Sequence, residues 1–385
     1  MYERLNTSSG RRPVVYLSYD SAAGPLGRSQ VLAYLERLSS SVPTTLVSFE
    51  REQWAHSRLQ THLDRLGIRW RPVRYHKRPP ILSTAFDVLQ GARALDRELR
   101  RVPSAIVHVR SYVPAQMAML SRRAEHAPLV FDIRGFWADE RVEGALWRDD
   151  GALYRVAKRR ERAFFARADV IVTLTNASVP IIREWLNDGY RPIEVIPTCT
   201  DVQAYAGTRS RQSEPHVVWV GSMGTWYRFD LAVRFARVAG FPLTVLTRQI
   251  DEARSQADGG ADVGFVAPEE LPTALHAGDI GLCFYRPGFA RLACSPTRFA
   301  EYLAAGMPVA VTPAIGDLEE IVEREQVGVV VREEDEEGLR LAARTLRRMA
   351  SNEHVVARCR RVAAEHFDVN VGAQRYGEIY RRLHP

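Results

Sequence analysis

Three arginines around one helix start are the first chemistry this sequence offers. In FYRPGFARLACSPTRFAEYLAAGMPVAVT (284–312), Arg286 and Arg291 precede a helical pattern and Arg298 falls in its first turn. Ser295 reads as the N-cap, Pro296 as the first helical residue, and Gly306 with Pro308 as the stop. Cations are disfavoured at a helix N-terminus unless an anion joins them, and a diphosphate fits that demand. Glu301 lies three residues beyond Arg298, so a plain surface ion pair is the ordinary alternative.

Three other segments carry candidate groups. LVFDIRGFWADERVEGALW (129–147) interleaves Arg134, Asp139, Glu140 and Arg141 with Phe136 and Trp137 after an apolar run. Aromatic faces and carboxylates together suit a sugar or other polyhydroxyl; a surface loop with an Arg134–Asp139 pair is the plainer alternative. IVHVRSYVP (106–114) puts Arg110 just past a strand, where a charge needs a partner or a ligand. His108 shares its face and reads as a satisfied core residue. YDSAAGPLGRSQ (19–30) places Gly24 and Gly27 before a helix, with Ser29 as a possible cap. The segment suits a phosphate but matches neither GxGxxG nor a P-loop, so an ordinary turn competes.

These loops need elements to hold them. Short apolar runs at 14–19, 44–49, 68–75, 105–109, 129–133, 169–175 and 193–198 alternate with helical patterns at 84–100, 113–124, 152–166 and 177–187. A polar stretch, 197–216, separates them from a second series at 217–222, 243–247, 261–266, 280–285, 308–312 and 327–331. Helical patterns near 335–350, 352–366 and 371–383 close the chain. Such alternation predicts an α/β protein with two doubly wound, Rossmann-like parallel-sheet domains facing across a cleft. The expected divisions are 1–200, 201–370 and a last helix at 371–385 that returns toward the first domain. Ligands in this architecture bind at strand carboxyl ends.

Composition narrows the classes. The chain has 385 residues, 46% hydrophobic and 26% charged, with a net charge of +7. Two lysines stand against 51 arginines; genome composition explains most of that, and phosphate recognition by a few remains open. RVAKRRERAFFARAD (155–169) reads as an amphipathic helix with a solvated basic face, and its functional reading is weak attraction to anionic lipid rather than nucleic acid. No run approaches the length of a spanning helix, and MYERLNTSSGRR lacks the apolar stretch of a secretory signal. Cys199, Cys283, Cys294 and Cys359 show no CxxC spacing, so a zinc site or disulfide framework is not expected, and a reducing compartment is.

SPTRFAEYLAAGMPVAVT, GDLEEIVE and VGVVV, spread over 284–331, resemble the C-terminal signature of the retaining GT-B glycosyltransferases of group 1 (family 4). YDSAAGPLGRSQV, HVRSYVP and FDIRGFWADERVEGALW look like stretches of bacterial members that build surface polysaccharides. VGSMGTWYRFD (220–230) is similar to a variant of the family's second-domain loop. The resemblance implies a nucleotide-sugar donor, UDP- or GDP-linked, held by the second domain without a metal or other cofactor. It implies a glycan, lipid-linked or small-molecule acceptor on the first domain, and a cytoplasmic enzyme, at most peripheral at the inner membrane face. It places Glu301 on the donor ribose and Ser295 and Thr297 at the diphosphate. Gly24, Gly27 and Gly221 belong to the donor loops. From their strand-end positions, Arg110, Arg134 and Asp139 are the candidate catalytic residues. Three departures stand out: Ala293 where the family has a Glu, Ser222 after Gly221 with Arg228 about where a Lys is usual, and Arg134 in place of a His. Arg248, Arg286, Arg291 or Arg298 would replace the missing diphosphate charge. A nucleotide-sugar epimerase and a catalytically silent binding protein are the competing classes.

Overall fold

The computed structural model describes residues 12–51, 56–186, 190–207 and 214–384. The N-terminal stretch 1–11 and part of the polar junction, 208–213, lie outside them.

Two parallel sheets form where the apolar runs occur. The first holds β1 (Val14–Ser18), β2 (Thr44–Glu50), β3 (Arg69–Arg74), β4 (Ile106–Arg110), β5 (Leu129–Asp132), β6 (Val170–Thr173) and β7 (Ile193–Val195). Their spatial order is β3-β2-β1-β4-β5-β6-β7. The second holds β8 (Val217–Val220), β9 (Leu243–Leu246), β10 (Asp262–Gly264), β11 (Ile280–Cys283), β12 (Val309–Val311) and β13 (Gly328–Val330), ordered β10-β9-β8-β11-β12-β13. In both, chain direction reverses its progress beside the first strand, between β1 and β4 and between β8 and β11. Loops diverge at such a switch point and leave a crevice at the strand ends.

Side chains alternate across each sheet with period two. Val15, Leu17, Val107, Val109 and Phe131 face one helix layer, with Leu95, Leu99 and Phe164. Val14, Tyr16, Ile106 and Val130 face the other, with Leu35 and Leu38. In the second sheet Val218, Cys283 and Val309 oppose Trp219, Leu282 and Ala310 in the same way.

The last helix, Val369–Arg382, does not stay with the second sheet. Val369, Ala373, Tyr376 and Tyr380 pack into the first sheet's second-face core. Its entry is pinned where Thr200 N–H bonds Phe367 O at 2.8 Å and Val369 N–H bonds Thr200 O at 2.9 Å. Asp368 caps the helix by accepting from Asn370 N–H.

Two helices escaped the periodicity reading: His56–Arg65, and Trp137–Glu143 inside the stretch read as a loop. The second is only two turns long, too short for a repeating apolar stripe. Ser29 is no cap either. The chain runs helically from Pro25 to Leu38 through a five-residue π segment, and Ser29 Oγ bonds Pro25 O at 3.0 Å.

Candidate functional site

A cavity of about 610 Å³ opens at the switch point of the second sheet. The loop after β8 supplies Gly221, Trp226 and Tyr227 to its wall, and the loop after β9 supplies Thr247, Arg248 and Gln249. Phe265, Val266 and Pro268 follow β10. Tyr285, Arg291 and Cys294–Arg298 follow β11. Pro25 reaches in from the first sheet's side. Of the donor-side residues read from sequence, Gly221, Arg248, Arg291, Ser295, Thr297 and Arg298 meet here.

The helix start differs from its sequence reading in one respect. The helix is Thr297–Ala304, its N-cap is Pro296, and no side chain caps it. Ser295 Oγ instead accepts from Thr198 N–H at 3.2 Å, tying the start to the first sheet's last loop. The terminal N–H groups are therefore left for whatever enters the cavity. Gly306, at φ 80°, ends the segment as expected.

Arg298 pairs with Glu301 one turn on. Burial opposes the Arg298 charge, but the Glu301 carboxylate outweighs it and holds the guanidinium firmly ionised. Glu301 does not line the cavity; it lies beneath, where it helps burial push the Tyr205 hydroxyl above its ordinary range. Arg291 is only 5% exposed and sits over the Trp226 ring at 5.0 Å. Its guanidinium is 3.5 Å from both Glu140 and Glu143, yet Nε and one terminal nitrogen make no hydrogen bond. Those two nitrogens face Glu143 and Glu140, which offset the buried charge, while the side chain also forms part of the cavity wall. Arg248 lies 5.5 Å from the Phe265 ring and has no ion pair among the described residues.

Other expected residues lie elsewhere. Arg286 is exposed and off the cavity wall. Arg228 is held by Asp230 and, at 2.9 Å through two nitrogens, by Glu334, so it is committed away from the cavity. Gly24 N–H bonds Ser21 O at 3.1 Å. Gly27 is required for a close approach, since a Cβ there would lie 2.0 Å from Ser21 O.

On the first sheet, Arg110 is 5% exposed and bonds Asp20 at 2.9 Å, while its Nε has no hydrogen-bond partner. Arg134 reaches Gln30 at 3.2 Å and Thr198 at 3.3 Å, with Asp132 at 3.8 Å. Burial alone would raise the Asp132 carboxyl, but Arg134, with His108 and Arg110, draws its pKa below the ordinary value. Both strand ends carry strain: Ser111 has φ 72° and Arg134 φ 59°. Such non-glycine outliers cluster where function over-determines the backbone. His108 is the core residue it was read to be, fully buried, 2.8 Å from Tyr380 Oη and stacked on Tyr16.

Asp139 does not face the cavity. It accepts from Tyr154 at 2.7 Å and Lys158 at 2.9 Å, locking helix 137–143 onto helix 152–167. A carboxylate so engaged is not a free reacting group.

Sequence reasoning missed Glu50. At the end of β2 it accepts from Ser21 Oγ, Ala22 N–H and Ser48 Oγ and so shapes the loop bearing Gly24 and Gly27. The rule that singled out Arg110, a charge ending a buried strand, applies equally to Glu50. Glu143 was missed too. It accepts from Ala290 N–H at 2.7 Å and joins the 137–143 helix to the arginine loop.

Residues 45–204 match the family model Glycosyltransferase Family 4. Sucrose-phosphate synthase of Thermosynechococcus elongatus superposes with a TM-score of 0.70 at 15% identity, over 97% of this chain and 99% of that one. A glycosyltransferase of Rickettsia africae gives 0.68 at 14%, covering 97% and 98%. Anabaena HepE, solved with UDP and glucose, gives 0.67 at 15%, covering 96% and 100%. No curated protein sequence matches the chain. At these identities the superpositions establish the fold, which is GT-B.

Proposed function

We infer that this chain, a GT-B glycosyltransferase with a Glycosyltransferase Family 4 domain at residues 45–204, moves a sugar from a nucleoside-diphosphate donor to a hydroxyl with retention of anomeric configuration. The observation that carries this is the uncapped start of helix 297–304 beside Arg291 and Arg298 in the cavity wall. The diphosphate sits there, and the nucleoside extends toward Arg248, Gln249 and Phe265. HepE was solved with UDP and with UDP-glucose, which makes UDP-sugars the first donors to try.

Catalysis in this reading is electrostatic. Arg298, Arg291 and the helix N–H groups stabilise charge that grows on the leaving diphosphate. The acceptor hydroxyl attacks from the face the diphosphate leaves, and a leaving phosphate oxygen takes its proton. No protein base is then needed. Arg110 and Arg134, fixed at strained strand ends, shape the acceptor side. The acceptor is a glycan or lipid-linked hydroxyl in surface-polysaccharide synthesis, met at the inner face of the membrane, and the working division of the chain is 1–200 against 201–370.

The test is transfer itself. The purified protein is incubated with UDP- and GDP-hexoses, with and without glycan acceptors, and products are read by NMR. A product whose new linkage keeps the donor's anomeric configuration supports the reading. An inverted linkage contradicts it, and an epimer formed without acceptor favours the epimerase.

A further inference from the structure

The seam between the last helix and the first sheet holds a charge, which an apolar docking surface would not need. Tyr16 from β1, His108 from β4, Asp132 from β5, and Tyr376 and Tyr380 from helix 369–382 are each at most 5% exposed. An ionised carboxylate in such a place is costly unless it is paired and hydrogen-bonded. Tyr380 is spent on His108, 2.8 Å from its Nδ1. Tyr376 Oη donates to Asp132 Oδ2 at 2.9 Å and is the one hydrogen-bond donor to that carboxylate among the described residues. Burial, helped by the Asp132 charge, pushes the Tyr376 hydroxyl far above its ordinary range, so it stays a donor.

The other Asp132 oxygen faces Arg134, 3.8 Å from a terminal nitrogen, and no second carboxylate lies within 4 Å of Arg134 among the described residues. Burial alone would lower the Arg134 pKa, but Asp132 outweighs it and keeps the guanidinium ionised. At φ 59° the Arg134 backbone is in a conformation that its surroundings must hold. Its second terminal nitrogen donates to Gln30 Oε1 and Thr198 Oγ1. Gln30 in turn donates to Cys199 O at 3.2 Å. Thr198 N–H goes to Ser295 Oγ, two residues before helix 297–304. One polar chain thus runs from the last helix, through the end of β5 and residues 198–199, to the helix start in the cavity.

Packing fixes Tyr376 in this chain. Its ring meets Tyr34 edge-on at 5.5 Å and His108 at 5.3 Å. Gly372, one turn earlier, lets the helix come close: a Cβ there would fall 2.8 Å from Tyr34 Cε1 and 2.9 Å from Cys199 Sγ. A tyrosine that only filled space could be replaced by Phe. A hydroxyl aimed at a buried carboxylate cannot, because its loss leaves the carboxylate without a hydrogen bond.

We propose that Tyr376 is a positioning residue for sugar transfer: through Asp132 it holds Arg134 against Thr198, beside the start of helix 297–304. The inference rests on the glycosyltransferase reading for the task of Arg134 and on the hydrogen-bond chain alone for its placement. Without the Tyr376 hydroxyl, Asp132 turns toward other donors, and Arg134 loses the fixed counter-charge that aims it. Thr198 then loses the cation on its hydroxyl, and its bond to Ser295 loosens. Linked polar groups of this kind act as a unit, so their removal is not additive.

Tyr376→Phe tests it, with Tyr380→Phe as the control that removes a neighbouring hydroxyl from the same helix. Each full-length protein is assayed well below its unfolding midpoint. In hydrogen exchange read by mass spectrometry, the peptide over 196–200 should exchange about fivefold faster in Tyr376→Phe, while peptides over 243–247 and all of Tyr380→Phe at 196–200 match the wild type. In UDP-glucose turnover with a glycan acceptor, Tyr376→Phe should lower kcat about tenfold with the donor KM within about twofold. In an Arg134→Ala background the same substitution should change kcat by less than about twofold. Unchanged exchange at 196–200 overturns the proposal. So do equal kcat losses in both backgrounds, or equal effects of Tyr380→Phe, which mark a softened core instead. The exchange pattern without turnover of any hexose donor would strike the glycosyltransferase reading and leave the placement of Arg134 by Tyr376 standing.

Discussion

Arg298→Ala removes the cation closest to the start of the proposed diphosphate helix. Two unit charges 4 Å apart interact by about 4 kcal/mol at the effective dielectric of a protein surface. Two features reduce that. The Arg298 side chain is 35% exposed, and Glu301 already claims part of its charge. The net loss of transition-state stabilisation should be about 2–3 kcal/mol, or roughly 30- to 160-fold in kcat. The assay is steady-state release of the nucleoside diphosphate with acceptor present, beside a thermal melt. The melt should fall somewhat, because Glu301, only 9% exposed, loses its partner, so rates are compared well below the unfolding midpoint of each protein. Arg298→Lys should recover part of the rate by restoring charge without the planar fork. Turnover within threefold of wild type for both Arg298→Ala and Arg291→Ala, in folded proteins, would refute the electrostatic mechanism.

Further outcomes follow from the supports around the site. Glu50→Ala leaves the Ser21–Ala23 turn without its acceptor, so the unfolding midpoint in calorimetry should fall, with a cost of about 2–4 kcal/mol. Gly27→Ala forces the Ser21–Ala22 backbone away; a loss of about 1–3 kcal/mol in denaturant melts is expected, with weaker donor binding by titration calorimetry. Burial holds the His108 pKa below its ordinary value, so the unfolded chain binds a proton near pH 6.5 that the folded chain resists. Stability from this group is fully present above that pH and is lost as pH falls toward 5; His108→Phe should flatten that part of the midpoint-versus-pH curve. Asp132 acts in the same direction further down, because its depressed pKa makes stability fall once pH drops below the ordinary carboxylate range.

The strands were legible because a parallel strand buried on both faces leaves an uninterrupted apolar run, as VVYLS, IVHVR and VVWV do. Their order put the strand-end loops in view, and with them Arg291, Arg298 and Gly221. What sequence could not supply was direction. Arg228 and Arg286 carry the same charge as Arg298, yet one is drawn off by Glu334 and Asp230 and the other points to solvent. Asp230 is a sequence neighbour, but Glu334 lies 106 residues away and depends on chain packing that local pattern does not encode. Ser295 fits every local rule for an N-cap, but Thr198, nearly a hundred residues away, takes its hydroxyl first. Asp139 looked available beside Trp137 until helix 152–167 brought Lys158 against it.

The central claim is that a nucleoside diphosphate is held at the start of helix 297–304. Thermal unfolding of the wild type and Arg298→Ala with UDP, GDP, ADP, CDP and dTDP tests it most directly. At least one nucleotide should stabilise the wild type, by roughly 2.7 kcal/mol at a hundred times its Kd, and stabilise Arg298→Ala far less at the same concentration. No stabilisation by any of the five, or equal stabilisation of both proteins, would contradict it.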